Sequence, residues 1–197
     1  MTNQIAANAS PRMMFLYEGF AESWGEPDHL IAFDPEEAQG SDSLQRLQVA
    51  VWRADERCDV TSFVTLGMSD LQMQGQLPYA ELQFAVRGAL SDEDIHQGAQ
   101  FLANMAAFPF HNHISLDWWS RISQAGAVPL FPESSGILFR PPFDEDDPAE
   151  LEHKDDTIRL LVLVPMTAEE NAILSEDGID AYEDYMIENG LDPLGHR

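Results

Sequence analysis

The chain has 197 residues, 44% of them hydrophobic, and sets 35 Asp and Glu against 10 Lys and Arg for a formal net charge of −25. That size and apolar share suit one domain with one core, and the charge excludes direct binding to nucleic acid or to anionic lipid. The single cysteine, Cys58, excludes a disulfide framework and a thiolate zinc cluster; with no run of about 18 apolar residues and no secretory signal at the start, the chain reads as cytoplasmic.

Residues 1–10 read as a disordered polar lead, and the domain is expected to fill residues 11–197. Ser10 and Pro11 supply an N-cap and a first-turn proline. Met13, Leu16, Phe20 and Trp24 then recur at spacings of three and four, which predicts an amphipathic helix closed by Gly25 and Pro27. Residues 29–33 read as a short strand, and residues 34–43, rich in acidic, Gly and Ser residues, as a loop. Leu47, Val49 and Val51 alternate with Gln48, Ala50 and Trp52 in a further strand, followed by a charged turn over residues 53–57. Residues 60–88 predict two strands. Val60, Ser62, Val64 and Leu66 share one side of the first, and Ala80, Leu82, Phe84 and Val86 one side of the second, opposite Glu81, Gln83 and Arg87. The expectation is a half-buried antiparallel meander of three strands with Glu81 on its polar side.

Ser91 with Asp92, Glu93 and Asp94 caps a helix that offers Ile95, Ala99, Leu102, Met105 and Ala106 to the sheet, and Pro109 is expected to end it. Residues 111–119 form an aromatic-rich connection, residues 136–140 a strand, and residues 144–156 an exposed, mobile acidic loop. Residues 157–164 are apolar on both faces apart from Arg159, which predicts a central strand stopped by Pro165. Thr167 and Glu170 form a capping box for a helix to about Leu174, and Ile179, Tyr182 and Met186 mark a last helix ending at Asn189 and Gly190. The fold class is α+β: a single domain with a mixed, mostly antiparallel sheet and helices packed on it.

Catalytic motifs are scarce. His111 and His113 can share one face of a strand, but a zinc site needs three or four ligands and no second cluster of suitable spacing is present. Asp70 and Glu81 can be drawn as an acid and base pair, yet neither shows a reason for a shifted pKa; Asp70 is placed to bond turn backbone. Cys58 reads as an ordinary thiol. No cofactor is implied. Asp144, Glu145, Asp146 and Asp147 begin the acidic segment, which is a solvated loop or a docking surface for a basic protein. Trp118 and Trp119, with Phe143, supply aromatic anchors for such an interface, and Asp70 completes the candidate partner-binding set. Residues 77–79 offer a sheet edge for strand addition. Acidity alone fits solubility or salt adaptation equally well, and oligomeric state is not legible.

Four segments carry a family resemblance: T-L-G-M-S-D from Thr65, A-E-L from Ala80, V-P-M-T-A-E-E from Val164 and L-D-P-L-G-H-R from Leu191. Together they resemble the bacterial Suppressor of fused domain over residues 11–197. The resemblance implies protein binding without catalysis. The family's founding animal member sequesters zinc-finger transcription factors by gripping an extended peptide, and bacterial members look like immunity proteins that neutralise a cognate toxin. The animal protein has a second domain where this chain ends, so its peptide clamp does not transfer whole. The expected function is an immunity-type module against a toxin, such as a basic nuclease. The alternatives are a small metal-dependent hydrolase using His111 and His113, and a regulatory or structural domain that sequesters a protein.

Overall fold

The first helix, α1 (Pro11–Trp24), starts where capping chemistry puts it. The Met13 amide donates to the Ser10 hydroxyl at 3.0 Å, Pro11 stands where no donor is needed, and Met13, Leu16 and Phe20 are buried. In this computed structural model, which describes residues 5–33, 44, 46–75, 78–143 and 147–195, four strands follow: β1 (His29–Phe33), β2 (Leu47–Trp52), β3 (Val60–Leu66) and β4 (Tyr79–Arg87). Each pairs antiparallel with the next, so the meander has four strands. Then come α2 (Asp92–Asn112), β5 (Arg121–Ile122), β6 (Ser134–Arg140), β7 (Glu150–His153), β8 (Asp156–Thr167), α3 (Ala168–Glu176) and α4 (Ile179–Glu188).

The sheet runs in the order β1-β2-β3-β4-β8-β6-β5, with β7 paired to the start of β8 and only β4 and β8 parallel. Among the described residues the fold is therefore α+β, an open mixed sheet of eight strands with four helices. Residues 5–10 pack rather than trail: the Ala6 amide donates to Gln48 Oε1, and Ile5 and Ala9 lie against the α1 cluster.

Both faces of the sheet are covered, which corrects the half-buried reading. On one face α2 packs Ile95, Ala99, Leu102 and Ala106 onto Phe63, Leu82, Phe84 and Leu161. On the other, α1 covers Ala50, Trp52, Val64, Leu66 and Leu160, and α4 sets Tyr182 and Met186 on Leu138, Val164 and Met166. Two helices thus share the face that the polar residues of β4 led us to expect in water.

Four further expectations change. Helix α2 continues through Pro109 to Asn112, because a proline removes one hydrogen bond while Pro109 and Phe110 both stay buried; His113 then closes it in the left-handed region at φ 52°. Strand β8 passes through Pro165 to Thr167. Beyond Leu163 it has β6 on one side and no β4 partner on the other, where proline is tolerated. Within the acidic segment, residues 150–153 form β7 in place of a mobile loop. Leu151 packs with α1, Glu150 pairs with Arg159 at 2.8 Å and Thr157 donates to Glu152 at 2.8 Å. Finally, β4 is an inner strand whose Tyr79 is paired with Ile158, so that strand is closed to addition there; Leu77 lies outside the described residues.

The β3–β4 connection is the tightest point of this frame. Gly67 has φ +111°, and a Cβ built on it would lie 2.6 Å from the Arg46 carbonyl oxygen. Gly67→Ala should therefore destabilise the domain by roughly 2 kcal/mol or more, through a left-handed backbone and a contact with backbone that cannot yield. A urea midpoint indistinguishable from wild type would show that the turn relaxes freely.

Candidate functional site

Glu81 is the residue whose placement departs furthest from its sequence reading. It is 1% exposed, and its carboxylate accepts from the amides of Gly67 at 3.0 Å, Met68 at 3.3 Å and Ser69 at 3.0 Å, and from the hydroxyls of Thr65 at 2.6 Å and Ser69 at 2.7 Å. Burial pushes its pKa up to about 7, against the pull of the Thr65 and Ser69 hydroxyls and the Ser69 and Gly67 amides. The expectation of no shift is thus corrected. Asp70 sits on the solvent side of the same turn and accepts from the Ser10 hydroxyl at 2.7 Å. One carboxylate is sealed inside and the other is engaged at a helix start, so no shared cleft joins them.

His111 and His113 are exposed at the C-terminal end of α2. Among the described residues no three His, Cys, Asp or Glu side chains gather as a metal would require. Cys58 is free and exposed. No helix among the described residues is long and apolar enough to cross a membrane.

The two tryptophans divide. Trp118 is partly buried, its indole N–H donates to the Leu160 carbonyl at 3.2 Å, and the Arg159 guanidinium lies 4.4 Å from its ring centroid. Arg159 is in turn held by Asp117 at 2.6 and 2.8 Å, which anchors the connection to β8. Trp119 turns outward, 45% exposed with φ 68°. Its amide donates to the Phe139 carbonyl at 2.6 Å and Phe139 returns a bond to the Ser120 carbonyl at 2.9 Å, so backbone pairing with β6 holds a bulky residue in a conformation it rarely adopts.

Beside Trp119, the Arg140 guanidinium lies 5.8 Å from its ring and 4.1 Å from that of Phe143, which is 40% exposed. Arg140 makes no ion pair among the described residues, and burial lowers its pKa against the nearby Glu183 and Tyr182. A cation between two aromatic faces is stabilised there without a carboxylate. From Arg140 a cleft of about 430 Å³ runs along α4, bordered by Glu183 and Ile187.

Of the acidic candidates, Asp144, Glu145 and Asp146 lie outside the described residues. Asp147 accepts from the Trp24 indole at 2.9 Å, at the C-terminal end of α1. Asp70 stands at the opposite end of that helix, about 20 Å from Asp147 for 14 residues, so those two acidic candidates are set apart; Trp119, Arg140 and Phe143 come together elsewhere on the chain. Sequence reasoning missed Arg140 and Ile187. The signal available for Ile187 was an isoleucine next to the buried Met186 on a helix otherwise charged on that side.

The sequence model described as Suppressor of fused protein (SUFU) matches residues 40–194. No curated protein matches the sequence. A SUFU homologue from Neisseria gonorrhoeae has a similar structure, with TM-score 0.68 at 17% identity over 93% of this chain and 92% of that one. A Sufu–Fu complex gives 0.67 at 13% identity over 96% and 90%, and Drosophila Suppressor of Fused 0.55 at 13% over 83% and 42%. These likenesses establish the fold.

Glu81 also sets a pH dependence. Its folded pKa of about 7 lies above the 4.5 it regains on unfolding, so the folded state holds the proton more tightly. Its contribution to stability is full below 4.5 and is lost as pH rises through about 7. Urea midpoints from about pH 5 to about pH 8 should fall for wild type, and Glu81→Gln should flatten that component while costing roughly 1–3 kcal/mol in unsatisfied amides. Parallel curves for the two proteins would mean that the carboxyl stays ionised throughout.

Proposed function

Because the chain belongs to the Suppressor of fused family, we propose that it acts without catalysis as a protein-binding domain of the immunity type, one that binds and neutralises a bacterial toxin. The observation that carries this reading is the group formed by exposed Trp119 and Phe143 with the half-buried Arg140 between them, on a chain of net charge −25. Tryptophan and arginine are among the side chains that dominate binding energy at protein interfaces. The similar fold in a Sufu–Fu complex supports protein binding. The charge favours a basic partner, and a toxin nuclease presents such a surface where it meets nucleic acid.

On this reading the residues at the partner surface are Trp119 and the acidic segment with Asp144, Glu145, Asp146 and Asp147. Trp118 supports Trp119 from within, and Asp70 serves the α1 start. The partner is sequestered by contact, in the cytoplasm, with no bond made or broken.

The product of the neighbouring gene, co-expressed with this chain, should co-purify with it. Neutralising residues 144–147 to Asn and Gln should slow association about tenfold at about 0.05 M NaCl and have little effect at about 0.5 M, as expected for electrostatic steering. Repeated capture that yields no protein partner would overturn the reading. Association indifferent to both salt and neutralisation would leave the acidity a matter of solubility.

A further inference from the structure

The cleft along α4 combines an exposed apolar side chain with an acidic stretch of chain. Residues 160–195 carry nine carboxylates and neither lysine nor arginine. Yet the same stretch leaves Ile187 77% exposed, the most open large apolar side chain among the described residues. Glu183 and Ile187 stand four residues apart and so share one side of α4. Arg140, Tyr182, Met186, Leu191 and Pro193 line the same cleft. Glu183, like Arg140, makes no ion pair among the described residues.

The position follows from the sheet. In register, Leu30, Ala50, Val64, Gln83, Val162 and Arg140 form one row across six strands, all on the face shared by α1 and α4. Helix α1 covers the first part of that row, while Tyr182 and Met186 of α4 cover the β6 side one step along the strands. Arg140 is left at the far end, flanked by Trp119 and Phe143. A volume of about 430 Å³ admits one bulky side chain with its neighbouring backbone.

We propose that this cleft docks a basic segment of the partner protein, inserting one aliphatic or aromatic side chain against Ile187 and Met186 while a flanking lysine or arginine pairs with Glu183. The proposal rests on the protein-binding reading above and names the surface and the chemistry it selects. Charge complementarity chooses the occupant. A second copy of this chain would bring its own carboxylates against these, and an acidic segment would meet the same repulsion. The apolar anchor supplies the affinity, and Glu183 with the acidic chain around the cleft favours a basic flank.

The test uses the full chain and three synthetic peptides: Lys-Arg-Gly-Leu-Trp-Gly-Lys-Arg, the same peptide with Ser for Leu and Trp, and its acidic counterpart with Glu and Asp for the basic residues. Methyl resonances of Ile187 and Met186 should shift with the first peptide and much less with the other two. Ile187→Glu, at an exposed position, should fold normally and weaken the first peptide about tenfold; Glu183→Gln should weaken it severalfold. Equal shifts with the Ser peptide, or unchanged binding by Ile187→Glu, would overturn the proposal. So would a wild-type dimer in sedimentation that Ile187→Glu disperses, since the occupant would then be a second copy. A co-purified partner that binds Ile187→Glu as tightly as wild type would remove this cleft and leave the protein-binding reading standing. Failure to recover any partner, with the peptide still bound here, would do the reverse.

Discussion

The constraint on which the rest of this structure depends is a carboxylate inside the sheet. Five donors converge on Glu81, three of them amides from a single turn, and an isolated carboxylate at that depth would be costly without them. The effect reaches well beyond the turn. Fixing residues 67–69 sets Met68 into the core and aims the Ser69 carbonyl at Arg12. Arg12 also meets Asp156 at the start of β8 and lies 4.0 Å from the Tyr79 ring. Asp70, one residue on, accepts from the Ser10 cap of α1. One buried group thus positions a helix, the β3–β4 connection and the β7–β8 corner relative to one another.

Much of this was legible because local signals agreed with the fold. Ser10, Ser91 and the Thr167 with Glu170 box each cap the helix their spacing announces, and the apolar run before Pro165 is an inner strand with neighbours on both sides. The failures share one physical cause. A polar residue alternating with apolar ones reads as solvent-facing, and nothing in the strand pattern reveals that a distant helix will cover that face. Glu81 and Gln83 were misplaced for this reason. Residues 150–153 were hidden likewise, since Glu150 and Glu152 look like part of a charge run until Arg159 and Thr157 are set opposite them. Pro109 and Pro165 show that a helix or strand outlasts a proline when burial or a one-sided partner compensates.

The same logic explains why the candidate surface was only half visible. Trp118 and Trp119 are adjacent in sequence, but the left-handed backbone at Trp119 sends one ring inward against Arg159 and the other outward beside Arg140. Adjacency suggested a pair of anchors. The fold uses one to hold the connection and leaves one in solvent. Arg140 joined the surface without any local motif, because its role depends on where Phe143 and α4 come to rest.

Charge and apolar contact then have separate tasks. A net charge of −25 would raise the local concentration of a basic partner from a distance and is screened by salt, so it would act on how fast a complex forms more than on how long it lasts. Residence requires desolvated contact. On a surface otherwise crowded with carboxylates, that is available only where ring faces and aliphatic side chains meet water, as at Trp119, Phe143 and Ile187. Because Arg140 sits beside those aromatic residues and lines the α4 cleft with Glu183, a basic chain docked as proposed would meet repulsion at that one point. A cation held between aromatic faces would help to fix the register of a docked chain, since a basic residue placed against it is disfavoured.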